Sequence, residues 1–240
     1  MAKTTKNVNI NLGTINAESM ELLSKYHVAR AELIRLREEK KNEIEKLESQ
    51  LVELKEKRAK AIESGESTDE VVSKYDILPI HNQIASVENK FKEDCKPHNQ
   101  AKKDALALIP SGIYHAYMLV MSTGNPSAKG TVVTKRTKDG KVKESVKVEE
   151  TMANLIKKFA DTIGLGNADN ESAISKFATI MATWTNGMIK SNKGEEYIKV
   201  KSESQYKELF MLSFLQYAIV EKKVVIVNDD NTLEMRDFTK

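Results

Sequence analysis

The stretch AESMELLSKYHVARAELIRLREEKKNEIEKLESQLVELKEKRAKAI, residues 17–62, decides how the rest of the chain is read. It reads as one uninterrupted helix, with flanking Glu and Lys residues supplying i,i+4 pairs, and no other segment approaches its length. At ~1.5 Å per residue such a helix is roughly 70 Å long, more than a compact domain of this size is wide. Part of it is therefore expected to project or to pair lengthwise. Ile44, Leu47, Leu51 and Leu54 follow the 3-4 spacing of a coiled-coil seam. Nearer the start, Met20, Leu22, Leu23, Val28, Leu33, Ile34 and Leu36 are denser, as where a helix packs on several neighbours. The Met20 end is predicted to be a base in a globular body and the Leu54 end the tip of an arm. Asn16 is the predicted N-cap.

Upstream, Val8, Ile10 and Leu12 alternate with asparagines, the period of a short strand or an N-terminal arm over residues 1–16. Downstream, Gly65 breaks the helix and Ser67 to Glu70 forms a capping-box pattern. A second apolar period runs through Val72, Ile77, Ile80, Ile84, Val87 and Phe91 to Leu108, with Pro79 and Pro97 dividing it into two or three helical pieces. Two helical runs joined by a short polar loop predict an antiparallel αα-hairpin over residues 17–109.

Pro110 to Gly112 closes that hairpin and opens a body over residues 110–240. Ile113 to Met121 is apolar except at His115 and fits a buried strand or a short buried helix. Residues 131–148 then form the clearest local signal. Thr131 to Thr137 and Val142 to Val148 flank Lys138-Asp139-Gly140-Lys141, and Asp-Gly with positive φ at both central positions specifies a tight β-hairpin. Its expected register sets Thr137 opposite Val142, Lys135 opposite Glu144, Val133 opposite Val146 and Thr131 opposite Val148.

Helical periods return at Thr151–Ile163, ended by Gly164 or Gly166, and at Ile174–Met188, capped by Asp169 or Asn170 and closed near Gly194. Tyr197, Ile198 and Val200 suit a short strand. Ser202 to Gln205 caps a run from Tyr206 to Ile219 that is apolar on most faces and hence central. A second hairpin over residues 223–238 turns at Asn228 to Asn231. The fold class is thus mainly α (α+β): a long coiled-coil-like helical hairpin on a helix-rich body with two small β-hairpins.

Composition narrows the function classes. The 240 residues are 40% hydrophobic, enough for a real core, and the 30% charged content alternates in sign along periodic apolar positions, which marks solvated helix faces. The single cysteine, Cys95, excludes an intrachain disulfide. The first residues lack an apolar signal-peptide core and no segment has membrane-spanning length, so a cytoplasmic protein with no membrane association is expected. The net charge of +3 is concentrated: from Lys129 to Lys147 seven cations stand against Asp139 and Glu144, a balance of +5 that leaves the rest of the chain at −2.

Chemistry is hard to find. His27, His81, His98 and His115 are scattered, with no nucleophile elbow and no HExxH pattern. Cys95 and His98, with His27 across the helical hairpin, are a conceivable metal set that lacks the paired spacing of structural zinc. Gly164-Leu165-Gly166 follows a helix rather than a strand, which argues against a phosphate loop. Phe177, Met181, Trp184 and Met188 recur as core packing, Trp184 at a boundary. No catalytic residue, cofactor site or metal site is assigned.

The expected function is that of a non-enzymatic interaction protein, an adaptor or inhibitor of the kind phages and other mobile elements encode. It presents the helical arm and the basic hairpin to a protein partner, with homo-oligomerisation through the arm wherever seam residues stay uncovered. The alternative is nucleic-acid binding through Lys135, Arg136, Lys138, Lys141, Lys143 and Lys147.

Overall fold

The computed structural model describes residues 15–125, 127–165, 171–191 and 200–237. The expected strand at Val8–Leu12, the caps at Asp169 or Asn170, the helix stop near Gly194, the strand residues Tyr197 and Ile198, and Phe238 lie outside them. The elements are α1 (Ala17–Glu63), α2 (Thr68–Lys74), α3 (Leu78–Leu106), α4 (Ile113–Thr123), β1 (Gly130–Arg136), β2 (Val142–Val148), α5 (Met152–Thr162), α6 (Glu171–Ser191), α7 (Glu203–Gln216), β3 (Val225–Val227) and β4 (Leu233–Met235), with a π-helical turn at Tyr217–Glu221. The described residues are mainly helical with two antiparallel hairpins, β1-β2 and β3-β4. Among the described residues no helix is long and apolar enough to cross a membrane.

The chain divides into two compact units, one made from the chain up to Lys25 and from Lys103 onward, the other from Tyr26–Lys102. In the Tyr26–Lys102 unit, α1 ends in a Schellman motif. Gly65, at φ +89, donates to the Ile62 carbonyl at 3.0 Å and Glu66 reaches back to Ala61 at 3.1 Å, which satisfies two orphan carbonyls. Ser67 does cap α2, but its side chain makes no cap bond, so the expected capping box is not formed. The return run breaks once, at Tyr75–Ile77. Asp76 Oδ1 accepts from the Leu78 amide at 2.9 Å, Pro79 falls in the first turn of α3, where an amide has no helical acceptor, and α3 continues through Pro97. Leu47 and Leu51 of α1 cluster with Ile80 of α3, and Leu54, Ile77, Ile84 and Val87 pack against them. Each fully buried Leu or Ile contributes up to about 1.5–3 kcal/mol, so this cluster helps hold the two helices together.

The other unit begins at Asn16, whose Oδ1 accepts from the Ser19 amide at 2.8 Å as the N-cap of α1. Asn16 also joins α1 to α5: its amide donates to Ile163 O at 2.9 Å and its Nδ2 to Thr162 O at 2.9 Å. Ser24 Oγ accepts from the Leu233 amide at 2.8 Å, fixing β4 beside α1. The Met20 end of α1 lies in this unit, where Met20 and Leu23 are buried.

Ile113–Thr123 is a helix, not a strand, between Gly112 and Gly124, both in the left-handed region. Thr151 Oγ1 accepts from Asn154 N at 3.2 Å and starts α5, and Gly164 at φ +94 follows its end. Ser202 Oγ accepts from Gln205 N at 3.3 Å to start α7, while Gln205 Oε1 takes the Lys201 amide at 2.8 Å. α7 is central, with Tyr206, Leu209, Phe210, Met211, Ser213, Phe214 and Leu215 buried. Phe159 of α5 meets Phe210 and Phe214 edge-on at 5.0 and 5.2 Å, and Phe177 of α6 meets Phe214 at 6.2 Å. These T-shaped contacts lock three helices around one aromatic cluster.

Candidate interaction site

The hairpin β1-β2 departs from its expected register. Thr131 pairs with Lys147, Val132 with Val146, Val133 with Ser145 and Arg136 with Val142; of the expected pairs only Lys135 with Glu144 is present. The shift originates at the turn, where Thr137 bonds to Lys141 rather than facing Val142; the bulges at Lys143 on β2 and Thr134 on β1, which have no residue opposite, cancel and restore Lys135 opposite Glu144 alone. The slip serves burial. It aligns Val132 with Val146 and carries Val148 to the same side, so that Val132 and Val148 are buried where the hairpin root packs on α4.

The turn is also of a different type. Gly140 N–H donates to Thr137 O at 3.0 Å and Thr137 N–H to Lys141 O at 2.8 Å, and Gly140 alone in the loop has positive φ, at +82. This is a type I turn over Lys138-Asp139 followed by a left-handed glycine, not the expected two-residue turn with positive φ at Asp139. The second hairpin closes in the same way, with Asn231 N–H on Asn228 O at 2.9 Å and φ +63 at Asn231.

From Lys135 to Ser145 every side chain is exposed. The six candidate cations lie in or beside this half of the ribbon but are not equivalent. Lys135 Nζ lies 3.0 Å from Glu144, Lys141 3.6 Å from Asp139 and Lys147 3.2 Å from Glu149. Arg136 Nη1 donates to the neutral Gly140 carbonyl at 3.0 Å. Among the described residues Lys138 and Lys143 have no carboxylate partner. A hydrogen bond from Thr137, then the turn backbone and Lys141, hold the Asp139 carboxyl below its ordinary value, so it stays charged at neutral pH.

At the hairpin root lies a cleft of about 200 Å³ that sequence reasoning missed. It is lined by Ser111, Gly112 and His115 at the start of α4, by Val146 to Glu150, and by Leu155 of α5. Its signal in the sequence was the lone polar residue, His115, in an apolar run. Glu203 Oε1 occupies the start of α4 by accepting from Gly112 N at 2.8 Å, and the Glu149 and Glu150 carboxylates are held by Lys147 and by Lys158 at 2.7 Å. Among the described residues no three His, Cys, Asp or Glu side chains gather as a metal site. Cys95 is buried, and burial raises its thiol pKa against the pull of Arg37 and Lys40. Trp184 is half-buried and meets the Tyr217 ring at 5.5 Å.

In the Tyr26–Lys102 unit the seam residues face α3, so Leu47 and Leu51 offer no open apolar stripe. A shallow groove between Leu36–Glu43 and Val87–Asp94 is crossed by Lys40, which lies 3.6 Å from Glu88 and over the Phe91 ring at 5.0 Å. No family model, curated protein or solved structure matches the chain.

Proposed function

We propose that the chain is a non-enzymatic interaction protein of adaptor or inhibitor type, with the basic hairpin as its contact element. The paired α1 and α3 act as a coiled-coil-like arm that supplies a second surface. The observation supporting this reading is the ribbon from Thr134 to Ser145, where five cations stand against Asp139 and Glu144, a balance of +3, on strands whose side chains are exposed from Lys135 onward. Lysines on exposed strands also block edge-to-edge pairing, but that role does not require a surplus of positive charge over the local carboxylates. Complementary charge steers encounter and fixes orientation, which suits a partner with an acidic surface. Nucleic acid is the alternative partner class, supported by the ribbon's positive charge; the lack of an aromatic residue in the exposed half counts against a single strand.

The test is affinity capture from source-cell lysate, with and without nuclease, comparing the native chain with a variant in which the six hairpin cations are reversed to Glu. A macromolecule retained by the native chain and lost with the reversed hairpin supports the proposal. Identical recovery by both proteins removes the hairpin from it.

A further inference from the structure

The six hairpin cations fall into two groups. Lys135, Lys141 and Lys147 each face a carboxylate of the hairpin or its root. Arg136 is bonded only to a neutral carbonyl, Lys138 sits in the turn and Lys143 is the unpaired bulge residue of β2. Among the described residues these three have no compensating carboxylate. They lie within eight residues of one another at the exposed end, while the buried Val132 and Val148 anchor the other end.

Resting on the hairpin as contact element and on the nucleic-acid alternative above, we infer that Arg136, Lys138 and Lys143 contact the phosphate backbone of a nucleic-acid duplex, and that the three ion-paired lysines supply none of the contacts. Protein interfaces concentrate their energy in a desolvated apolar or aromatic centre. The exposed half of this ribbon has a single large apolar side chain, Val142, 54% exposed and bordered by Lys141 and Lys143. Nucleic-acid interfaces are polar, wet and positively charged, as this ribbon is. Single strands are gripped by stacking on aromatic rings, and the hairpin has none. A duplex remains, whose major groove admits a two-stranded ribbon. A cation already paired with a carboxylate must break that pair to meet a phosphate, so it releases little net counterion. An uncompensated cation gives the full effect.

Each phosphate neutralised contributes about −0.9 to the slope of log affinity against log salt, so three contacts give about −2.7 and a roughly 40-fold loss between 50 and 200 mM salt. The experiment titrates the full chain with a fluorescein-labelled mixed-sequence 20-base-pair DNA duplex across that range. The native slope is expected near −3. Substituting Arg136→Gln, Lys138→Gln and Lys143→Gln flattens it by about three. A charge-conserving variant that deletes the pairs (Lys135→Gln with Glu144→Gln, Lys141→Gln with Asp139→Asn, Lys147→Gln with Glu149→Gln) keeps the native slope. Should that variant lose its fold, the three pairs are deleted singly, with melting curves as the check. A slope that drops by one for each deleted pair overturns the division of the cations. No duplex binding at 50 mM salt overturns the duplex assignment, while hairpin-dependent capture of a nuclease-resistant partner would leave the broader interaction reading standing.

Discussion

Asn16 Nδ2 donates to the carbonyl of Thr162 at 2.9 Å across 146 residues of sequence. With its own amide on Ile163 O, and with Ser19 Oγ 3.4 Å from Thr162 O, it satisfies the last carbonyls of α5 while its Oδ1 caps α1. One side chain thus closes the start of one helix and the end of another.

Asn16→Ala is expected to cost about 1–2 kcal/mol of body stability in urea unfolding, the usual value of a lost cap plus one hydrogen bond. Asn16→Asp is the sharper case. Aspartate caps an isolated helix as well as asparagine does, but here it has no donor for Thr162 O and puts a negative charge at the negative end of α5. A variant less stable than the native chain is expected; one equal to it or more stable would show that the bond to Thr162 contributes nothing.

Tyr206 and Tyr217 are buried, and among the described residues neither hydroxyl has a hydrogen-bond partner. Tyr206→Phe is therefore expected to leave stability unchanged or to raise it by roughly 0.5–2 kcal/mol, because it removes a polar atom whose desolvation is uncompensated. Thermal unfolding checks this. A loss above 1 kcal/mol would mean that the hydroxyl has a partner in solution.

Burial pushes the Tyr217 phenol from its ordinary value of 10 up to about 12, with Glu221 adding to the shift, and pushes Tyr206 up as well. The folded state holds these protons more tightly than the unfolded chain. Their contribution is complete below pH 10 and is lost as pH rises through the folded value. Between pH 10 and about 12 the native chain should lose stability faster than Tyr217→Phe. Parallel denaturation curves in that window would contradict the assignment.

Leu51 belongs to the cluster with Ile80, whereas its neighbour Val52 is 55% exposed. Leu51→Ala is expected to cost about 2–4 kcal/mol and to speed amide exchange in α3. Val52→Ala is expected to change stability by less than about 0.5 kcal/mol. Equal effects would mean that α1 and α3 do not pack as observed.

Much of the helical fold is legible in the sequence because its causes are local. The period of Leu47, Leu51 and Leu54, the caps Asn16, Thr151 and Ser202, and the all-round apolar surface of α7 each act within a few residues of themselves. The β1-β2 hairpin is legible as a hairpin and misread in detail. Asp139-Gly140 suits both a two-residue turn and a type I turn with a left-handed glycine, and the choice depends on Val132 and Val148 finding α4. The turn type in turn sets the register of the strands, so the register is beyond local pattern. His115 stood out in sequence, but the cleft it lines needs Glu149, Glu150 and Leu155 brought to it by the fold. The bond from Asn16 to Thr162 has no sequence signature at all. The six candidate contact residues stand out in the sequence by charge, and only the geometry divides them into paired and uncompensated cations.

The central claim, that the exposed half of the basic hairpin contacts a nucleic-acid duplex, is tested most directly by backbone amide chemical shifts of the full chain titrated with the duplex at low salt. The account predicts shifts concentrated at Arg136, Lys138, Gly140 and Lys143 that vanish as salt is raised. Shifts that centre instead on the His115 cleft or on the groove at Lys40 and Phe91, or no shifts at any duplex concentration, would contradict it.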